Sequence, residues 1–383
     1  MQYSLYLHLP FCAIHCTYCA FNIFTRAQKL IPHYVRALQN ELTMVQPPSE
    51  PVHTIYLGGG TPSLLAPTQI DTLLKTCQRA YTLSRDPEIT MEINPGDVDQ
   101  GYLESIREAG VNRLSIGMQS ALPDELRLMA RDHTPQAVSQ VITAARKAGH
   151  TNISLDLIFG LPRQSFAAWR TTVREALSLQ PDHLSMYALE LEAGTALTRR
   201  VERGGLPQPD QDLCAEMYQW ADSEAKQAGL IQYEISNWAR PGWECRHNRQ
   251  YWRYQPYLGF GAGAHGFAAG VRYEVMPDLR RYLELAGSQR ERLPFPLSAA
   301  AVQSRQIDPL EAMGEYIFTG LRQVQEGVNL RDFEARFGIA LAEAFPKALA
   351  KLLQSDLITL DQDRMRLTDQ ARLISNRVSL EFL

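Results

Sequence analysis

Three thiols crowd into eight residues near the start of the chain, Cys12-Ala13-Ile14-His15-Cys16-Thr17-Tyr18-Cys19, after the apolar run Leu5-Tyr6-Leu7-His8-Leu9 and a break at Pro10. With three and then two residues between the thiols, a loop of this length can wrap its sulfurs round one face of an iron–sulfur cluster, which cysteine thiolates hold. Four thiolates close a cubane and this loop offers three. One iron is then left for a ligand that is not protein, unless another side chain completes the set. A structural zinc site on Cys12, Cys16, Cys19 and a fourth ligand competes for the same residues. His15 is an awkward fourth, because it lies between two of the thiols. That three of the chain's six cysteines fall so close together argues against incidental core thiols.

Downstream, short apolar runs alternate with amphipathic stretches. Strands are expected at 4–9, 54–57, 88–93, 113–117, 153–159 and 183–189, and helices at 31–45, 69–81, 100–109, 136–148 and 166–179. Such alternation predicts βα units, a parallel sheet and right-handed crossovers. Six units are too few for a closed eightfold barrel, so the expected architecture is α/β, a partial (β/α)6 barrel. Ligands in such folds sit beyond the carboxyl ends of the strands. The cysteine run, Gly58-Gly59-Gly60-Thr61-Pro62, Glu92-Ile93-Asn94-Pro95 and Gly117-Met118-Gln119-Ser120 all collect there, together with Asp156 before Gly160-Leu161-Pro162.

Beyond residue 191 the pattern loosens. A helix is expected at 210–228 and a short strand at 232–235, followed by a block rich in Trp, Tyr, Gly and Pro over 238–267. Residues 290–298, with Pro294 and Pro296, read as a linker. The remainder outlines a small, mainly helical, winged-helix-like domain: helices at 309–324, 330–337 and 341–353, a hairpin across 361–363 and a last helix. Winged helices often bind DNA, but residues 298–383 carry 10 basic against 12 acidic side chains. The whole chain has 38 against 42, for a net charge of −4. No phosphate-binding footprint is present, so nucleic acid is not an expected partner. No apolar run reaches the roughly 18 residues of a membrane span. Clustered thiols without a secretory pattern point to a reducing compartment, by default the cytoplasm.

The triple glycine allows close backbone approach to a ligand, though glycine after a strand is often only a tight turn. Glu92, at the end of an apolar strand, needs a partner if buried; a salt bridge to a helix arginine would serve as well as a ligand. Asp156, flanked by Leu155, Leu157 and Ile158, needs hydrogen bonds from a ligand hydroxyl or a buried arginine.

The Cys-x3-Cys-x2-Cys spacing after a short strand resembles the radical S-adenosylmethionine (SAM) superfamily. There the open iron of a [4Fe–4S] cluster binds the amino and carboxylate groups of SAM, and electron transfer releases a 5′-deoxyadenosyl radical. From Tyr6 through the C-terminal domain the chain resembles the coproporphyrinogen III oxidase-like branch, and within it the HemW haem chaperone family. Tyr6-Leu7-His8-Leu9-Pro10-Phe11-Cys12 is similar to the family's Tyr-x-His-x-Pro-Phe-Cys motif. The resemblance implies cluster ligands Cys12, Cys16 and Cys19, and SAM contacts at Tyr6, Tyr18, Gly59, Gly60, Thr61, Glu92, Gln119, Arg131 and Asp156. A solvated helix-end position is the plain alternative for Arg131.

Two features separate chaperone from oxidase. The oxidase has a further cysteine two positions after the third, where this chain has Phe21, and an N-terminal extension, where this chain has five residues before Tyr6. The second feature is His247-Asn248-Arg249-Gln250-Tyr251-Trp252, which matches the His-Asn-x-x-Tyr-Trp motif associated with haem in the family. Histidine is a sound axial ligand for haem iron. Trp238, Trp243, Tyr251, Trp252, Tyr254, Tyr257 and Phe260 could wall a porphyrin. On residue chemistry alone, a surface histidine beside an aromatic minicore is the preferred reading, because aromatic clusters usually pack rather than bind; the motif match reverses that preference. Cys245 could be an alternative thiolate but reads as a buried thiol, and Cys77 and Cys214 read as core. Gly259-Phe260-Gly261-Ala262-Gly263-Ala264-His265 resembles a family segment whose small residues imply close backbone packing.

The resemblance therefore implies a haem-transfer protein with a cluster, SAM and haem, serving an acceptor haemoprotein such as a respiratory enzyme. The division expected is 1–230 for the barrel, 231–290 for the haem-binding segment and 291–383 for the helical domain. Oxidative decarboxylation of coproporphyrinogen III is the alternative activity, and a zinc-stabilised binding module the third reading.

Overall fold

The structure is a computed structural model describing residues 2–288 and 293–383. Six strands, β1 (Tyr3–Leu9), β2 (Val52–Gly59), β3 (Leu83–Ile93), β4 (Arg113–Gln119), β5 (Ile153–Phe159) and β6 (His183–Ala188), pair in parallel in chain order. Between them run α1 (Ile31–Met44), α2 (Pro67–Ala80), α3 (Gln100–Glu108), α4 (Pro135–Lys147) and α5 (Phe166–Ser178). The last three begin at side-chain caps: Asp99, Thr134 and Ser165 each accept from a backbone N–H of the first turn, satisfying donors that the helix leaves free. The expected (β/α)6 partial barrel is the fold observed.

Parallel strands covered on both faces usually read as continuous apolar runs, but these alternate. Leu5, Leu7 and Leu9, Ile55 and Leu57, Leu114 and Ile116, and Leu155 and Leu157 are buried with the helices in one apolar core. The intervening Ser4, Thr54, Glu88, Thr90, Arg113, Ser115, Ser154, His183 and Ser185 are also buried, yet polar. Several of them bond across strands, as Thr54 to Ser4 at 2.6 Å and Ser154 to His183 at 2.8 Å, whereas Thr90 Oγ1 and Arg113 Nε have no partner among the described residues. The barrel interior is thus a hydrogen-bonded polar lumen inside an apolar jacket, as a period-two strand pattern requires.

The sheet continues past the six strands at both edges, to twelve in all. After α6 (Gln211–Gln227), β7 (Ile231–Glu234) and β8 (Asn237–Ala239) attach antiparallel beyond β6. Helix α7 (Arg246–Trp252) then carries the chain back to β9 (Tyr257–Phe260), which pairs parallel with β1. Beyond β9 come β10 (His265–Ala268), β11 (Val271–Val275) and β12 (Ala301–Gln306), all antiparallel. The aromatic block is therefore split between opposite edges.

The expected linker lies partly outside the described residues, at 289–292. Its described end is packed: Phe295 meets the Tyr3 ring edge-on, and buried Ser298 donates to Glu41 at 2.8 Å. The other helix on this side is α8 (Leu279–Gly287), whose Tyr282 donates to the same carboxylate.

A second apolar core holds the C-terminal domain together, with Ile317, Leu321, Phe333, Leu352 and Met365 at its centre. It comprises α9 (Pro309–Arg322), α10 (Leu330–Phe337), α11 (Pro346–Gln354) and a three-stranded sheet ending in the hairpin β13 (Ile358–Leu360) and β14 (Arg364–Leu367). The helix expected over 341–353 is two pieces, Leu341–Ala344 and Pro346–Gln354, because Pro346 pushes Phe345 out of helical geometry, to φ −131° and ψ 53°. The expected last helix is a succession of short turns from Gln370 to Phe382. Among the described residues, no helix is long and apolar enough to cross a membrane.

Candidate functional site

The thiol loop leaves β1 at the carboxyl end of the barrel and is pinned along its length. Gln28 donates to the Cys12 carbonyl at 3.0 Å, and the Thr17 amide and hydroxyl reach Met129 and Leu128 at 3.1 and 2.8 Å. Leu197 donates back to Thr17 at 2.8 Å. These bonds hold a segment that is neither helix nor long strand. Cys12, Cys16 and Cys19 are unpaired and half-exposed. Burial, partly offset by the Thr61 hydroxyl 3.4 Å away, pushes the Cys12 thiol up to about 11. A thiolate there depends on a bound cation.

The residues fit an iron–sulfur cluster better than zinc. His15 gives its Nε2 to the Cys19 carbonyl at 3.1 Å. Among the described residues no three His, Cys, Asp or Glu side chains converge on a point suited to one ion. Arg131 lies over the loop, with a terminal nitrogen 3.6 Å from Cys16 Sγ and the other donating to Asn94 Oδ1 at 2.6 Å and the Gly117 carbonyl at 3.2 Å. Its Nε is buried with no partner. A guanidinium held beside three thiols suits a site that takes an anionic group. Arg131 is thus held inside the mouth rather than solvated at a helix end.

The other expected contacts gather round that mouth. Gly60 donates to the Leu9 carbonyl at 3.0 Å and Thr61 to the Phe11 carbonyl at 2.7 Å, so the glycine turn clasps the entry to the thiol loop. A Cβ at Gly60 would lie 2.6 Å from the Phe11 oxygen, and Gly59 has φ +113°; both positions require glycine. Glu92 accepts from Tyr56 at 3.0 Å and from the Gly59 amide at 3.1 Å, and among the described residues no arginine pairs with it. Burial, reinforced by nearby Asp156, raises this carboxyl to about 7. Asp156 accepts from Ser115 at 2.9 Å and Ser154 at 3.3 Å; burial raises it, while serine hydroxyls and Arg113 oppose the rise. Gln119 sits at φ 62°, its side chain beside that of Arg131 over Gly117. Tyr18 packs on Leu126, Met129 and Ile158, and burial raises its phenol. Tyr6 bonds His8 Nδ1 at 3.1 Å.

His247 lies elsewhere, at the amino-terminal end of the lumen. Glu88 accepts from the backbone amides of Arg246 and His247, both at 3.0 Å, which seats the start of α7 in the barrel floor. The imidazole is 1% exposed, with Nδ1 2.7 Å from Thr54 Oγ1 and Nε2 2.8 Å from the Tyr251 hydroxyl. Burial drives it down to about 3, so it is neutral and both ring nitrogens are engaged. The far end of the motif meets the C-terminal domain, where Arg322 stacks 4.4 Å over the Trp252 ring and Glu326 pairs with Arg249 and Arg253.

Of the expected porphyrin walls, Trp238 and Phe260 are buried in the core, and Trp238 donates to Asp222 at 2.7 Å on the opposite edge. Tyr251, Trp252, Tyr254 and Tyr257 line a cleft of about 730 Å³ between the thiol loop, β9–β11 and α9. Cys245 and Cys77 are fully buried, whereas Cys214 is only half-buried.

Sequence reasoning missed the Asn94 partner of Arg131, the serine cradle of Asp156 and the role of Asn22. Asn22 donates to the Ala262 and Pro277 carbonyls, both at 3.0 Å, and accepts from His8 Nε2 at 2.8 Å. The serines were detectable as the polar half of a strict strand alternation; Asn22 carried no signal.

The Radical SAM superfamily model matches residues 6–176, and that of the HemN C-terminal domain matches residues 307–374. The solved structure of coproporphyrinogen III oxidase (HemN) from Escherichia coli, a radical SAM enzyme, superposes with a TM-score of 0.85 at 24% identity, covering 100% of this chain and 90% of that one. Fold and thiol loop together define a radical SAM protein. The chain is 36% identical to the heme chaperone HemW of Bacillus subtilis (strain 168) over 99% of both chains. It is 38% identical to the heme chaperone HemW of Mycobacterium tuberculosis (strain CDC 1551 / Oshkosh), over 98% of this chain and 93% of that one. The chain belongs to the HemW family.

Proposed function

We propose that this protein binds haem and hands it to an acceptor haemoprotein, and that it holds a [4Fe–4S] cluster on Cys12, Cys16 and Cys19 with SAM at the open iron. The observation that carries this reading is end-to-end likeness to heme chaperones in a chain whose three thiols share one barrel mouth with the Arg131 guanidinium, whose Nε has no partner. When bound, the cluster supplies the electron that a sulfonium can accept. The chain supplies the rest. Arg131 receives the SAM carboxylate, and Glu92, once ionised, its ammonium group. The Gly59-Gly60-Thr61 turn lets the backbone approach, Asp156 and Gln119 take polar contacts, and Tyr6 and Tyr18 close the walls.

In this reading residues 1–230 hold cluster and SAM, 231–290 form much of the haem wall, and 291–383 close the cleft. For His247 to reach a haem iron, its bond to Tyr251 has to break and α7 has to leave the barrel floor. Half-exposed unpaired thiols suit a reducing compartment, and we assign the cytoplasm. The acceptor is a haemoprotein such as a respiratory enzyme.

The test is anaerobic reconstitution followed by haem titration and transfer to a generic apo-haemoprotein such as apomyoglobin. Uptake followed by transfer is expected. Absence of uptake, or vinyl formation from coproporphyrinogen III at enzymatic rates, overturns the reading.

A further inference from the structure

The cleft beside the thiol loop contains two histidines, and they differ in what their nitrogens are doing. His8 has both engaged, by Tyr6 and by the Asn22 carbonyl. His265, on β10, is exposed and lines the same cleft. Neither of its ring nitrogens has a hydrogen-bond partner among the described residues. No cysteine or methionine lines the cleft. Its tyrosines are weaker candidates: Tyr251 is bonded to His247, Tyr254 donates to Glu315 at 2.8 Å, and burial raises the Tyr257 phenol.

The strand behind His265 is seated hard. A Cβ at Gly259 or Gly266 would overlap the His265 backbone or the Tyr273 ring, and one at Gly263 would lie 2.5 Å from Asn22 Nδ2. The imidazole therefore projects from a rigid edge into a space of about 730 Å³, within the range that cofactor-sized ligands occupy. Phe21, Trp252, Tyr257, Phe267 and Phe318 provide aromatic walls, which suit a flat macrocycle.

We propose that haem binds in this cleft with His265 as the axial ligand to its iron, and that His247 serves to seat α7 in the barrel floor. The proposal rests on the haem-binding reading above and specifies its site. Neutral imidazole is the commonest metal ligand, and its free lone pair is what a five-coordinate haem iron needs.

The experiment is titration of the anaerobically reconstituted full-length protein with haem, followed by absorbance and electron paramagnetic resonance. The proteins are wild type, His265→Ala, His247→Ala and Thr319→Trp, the last placing a large ring in the cleft from α9. Wild type should show an imidazole-ligated iron. His265→Ala should lose about 10-fold or more in affinity and change its spectrum, with added imidazole restoring the wild-type signature and cluster content unchanged. Thr319→Trp should also weaken binding, with His265 intact.

A His265→Ala protein with wild-type affinity and spectrum overturns the assignment. So does loss of the imidazole signature in folded His247→Ala alone, or unimpaired binding by Thr319→Trp. In those cases haem binding itself survives. If wild type takes up no haem, the wider reading fails and the ligand assignment falls with it.

Discussion

Cys12, Cys16 and Cys19 lie on a half-exposed loop beside a guanidinium with a spare donor, whereas the His247 ring is closed off by Thr54, Tyr251 and the barrel floor. Both stretches stood out in the sequence as motifs. In the loop, three unpaired thiols and a guanidinium with a donor to spare leave room for an added group. At His247 every group already has a partner, and adding a ligand means breaking what is there. A motif says that residue types recur together; only the state of their lone pairs and donors separates a binding motif from a structural one.

The widest separation between the two regions should come from single cysteine replacements. Cys12→Ser, Cys16→Ser or Cys19→Ser should each bring bound iron and sulfide to background, while apo-protein stability changes by no more than about 1 kcal/mol. His247→Ala should do the reverse, keeping the cluster and costing about 3 kcal/mol in urea unfolding, from a cavity plus two stranded hydroxyls. The wild-type imidazole is neutral in the fold down to about 3, against 6.5 when free. The unfolded chain takes up a proton as pH falls below 6.5 and the folded chain does not, so stability drops by up to about 1.4 kcal/mol per pH unit in that window. His247→Ala should lose this component of the slope.

Glu92 tests the mouth more gently. Glu92→Gln should weaken SAM binding by about 10-fold in equilibrium dialysis. With its carboxyl near 7 in the fold and 4.5 when free, the folded protein keeps a proton that the unfolded chain has lost between those values. Wild-type stability therefore declines as pH rises through that window, and the glutamine variant should not share this decline. The smallest effect belongs to Phe21→Ser. Phe21 is 71% exposed, and its replacement should leave stability within about 0.5 kcal/mol.

The parallel core was legible because its signal is local. Ile153–Phe159 and Arg113–Gln119 are apolar alternations bounded by turn residues, and their strands form where expected. Strand β3 begins at Leu83, five residues early: Leu83 pairs with Val52 and the ladder then jumps to Glu88 opposite Thr54, so Ser84-Arg85-Asp86-Pro87, without strand-like composition, forms an irregularity that the pairing with β2 passes over. The thiols and glycines were legible because their spacing carries geometry. What was not legible was direction. Sequence does not reveal that α7 enters the barrel from below, so the His247 ring could not be distinguished from one facing a ligand. Nor could it reveal that Trp238 and Tyr257 end at opposite edges of one sheet.

Asn22 has a consequence for what changes the thiol loop can tolerate. The loop is solvent-facing, and such loops ordinarily absorb insertions at little cost. Here one side chain holds two carbonyls more than 230 positions away along the chain, and its own carbonyl holds His8. Lengthening the loop by a residue between Cys19 and Asn22 would release all three contacts together, whereas the same insertion at Arg26 or Ala27 would leave them in place. The stretch just after the third thiol is thus of fixed length.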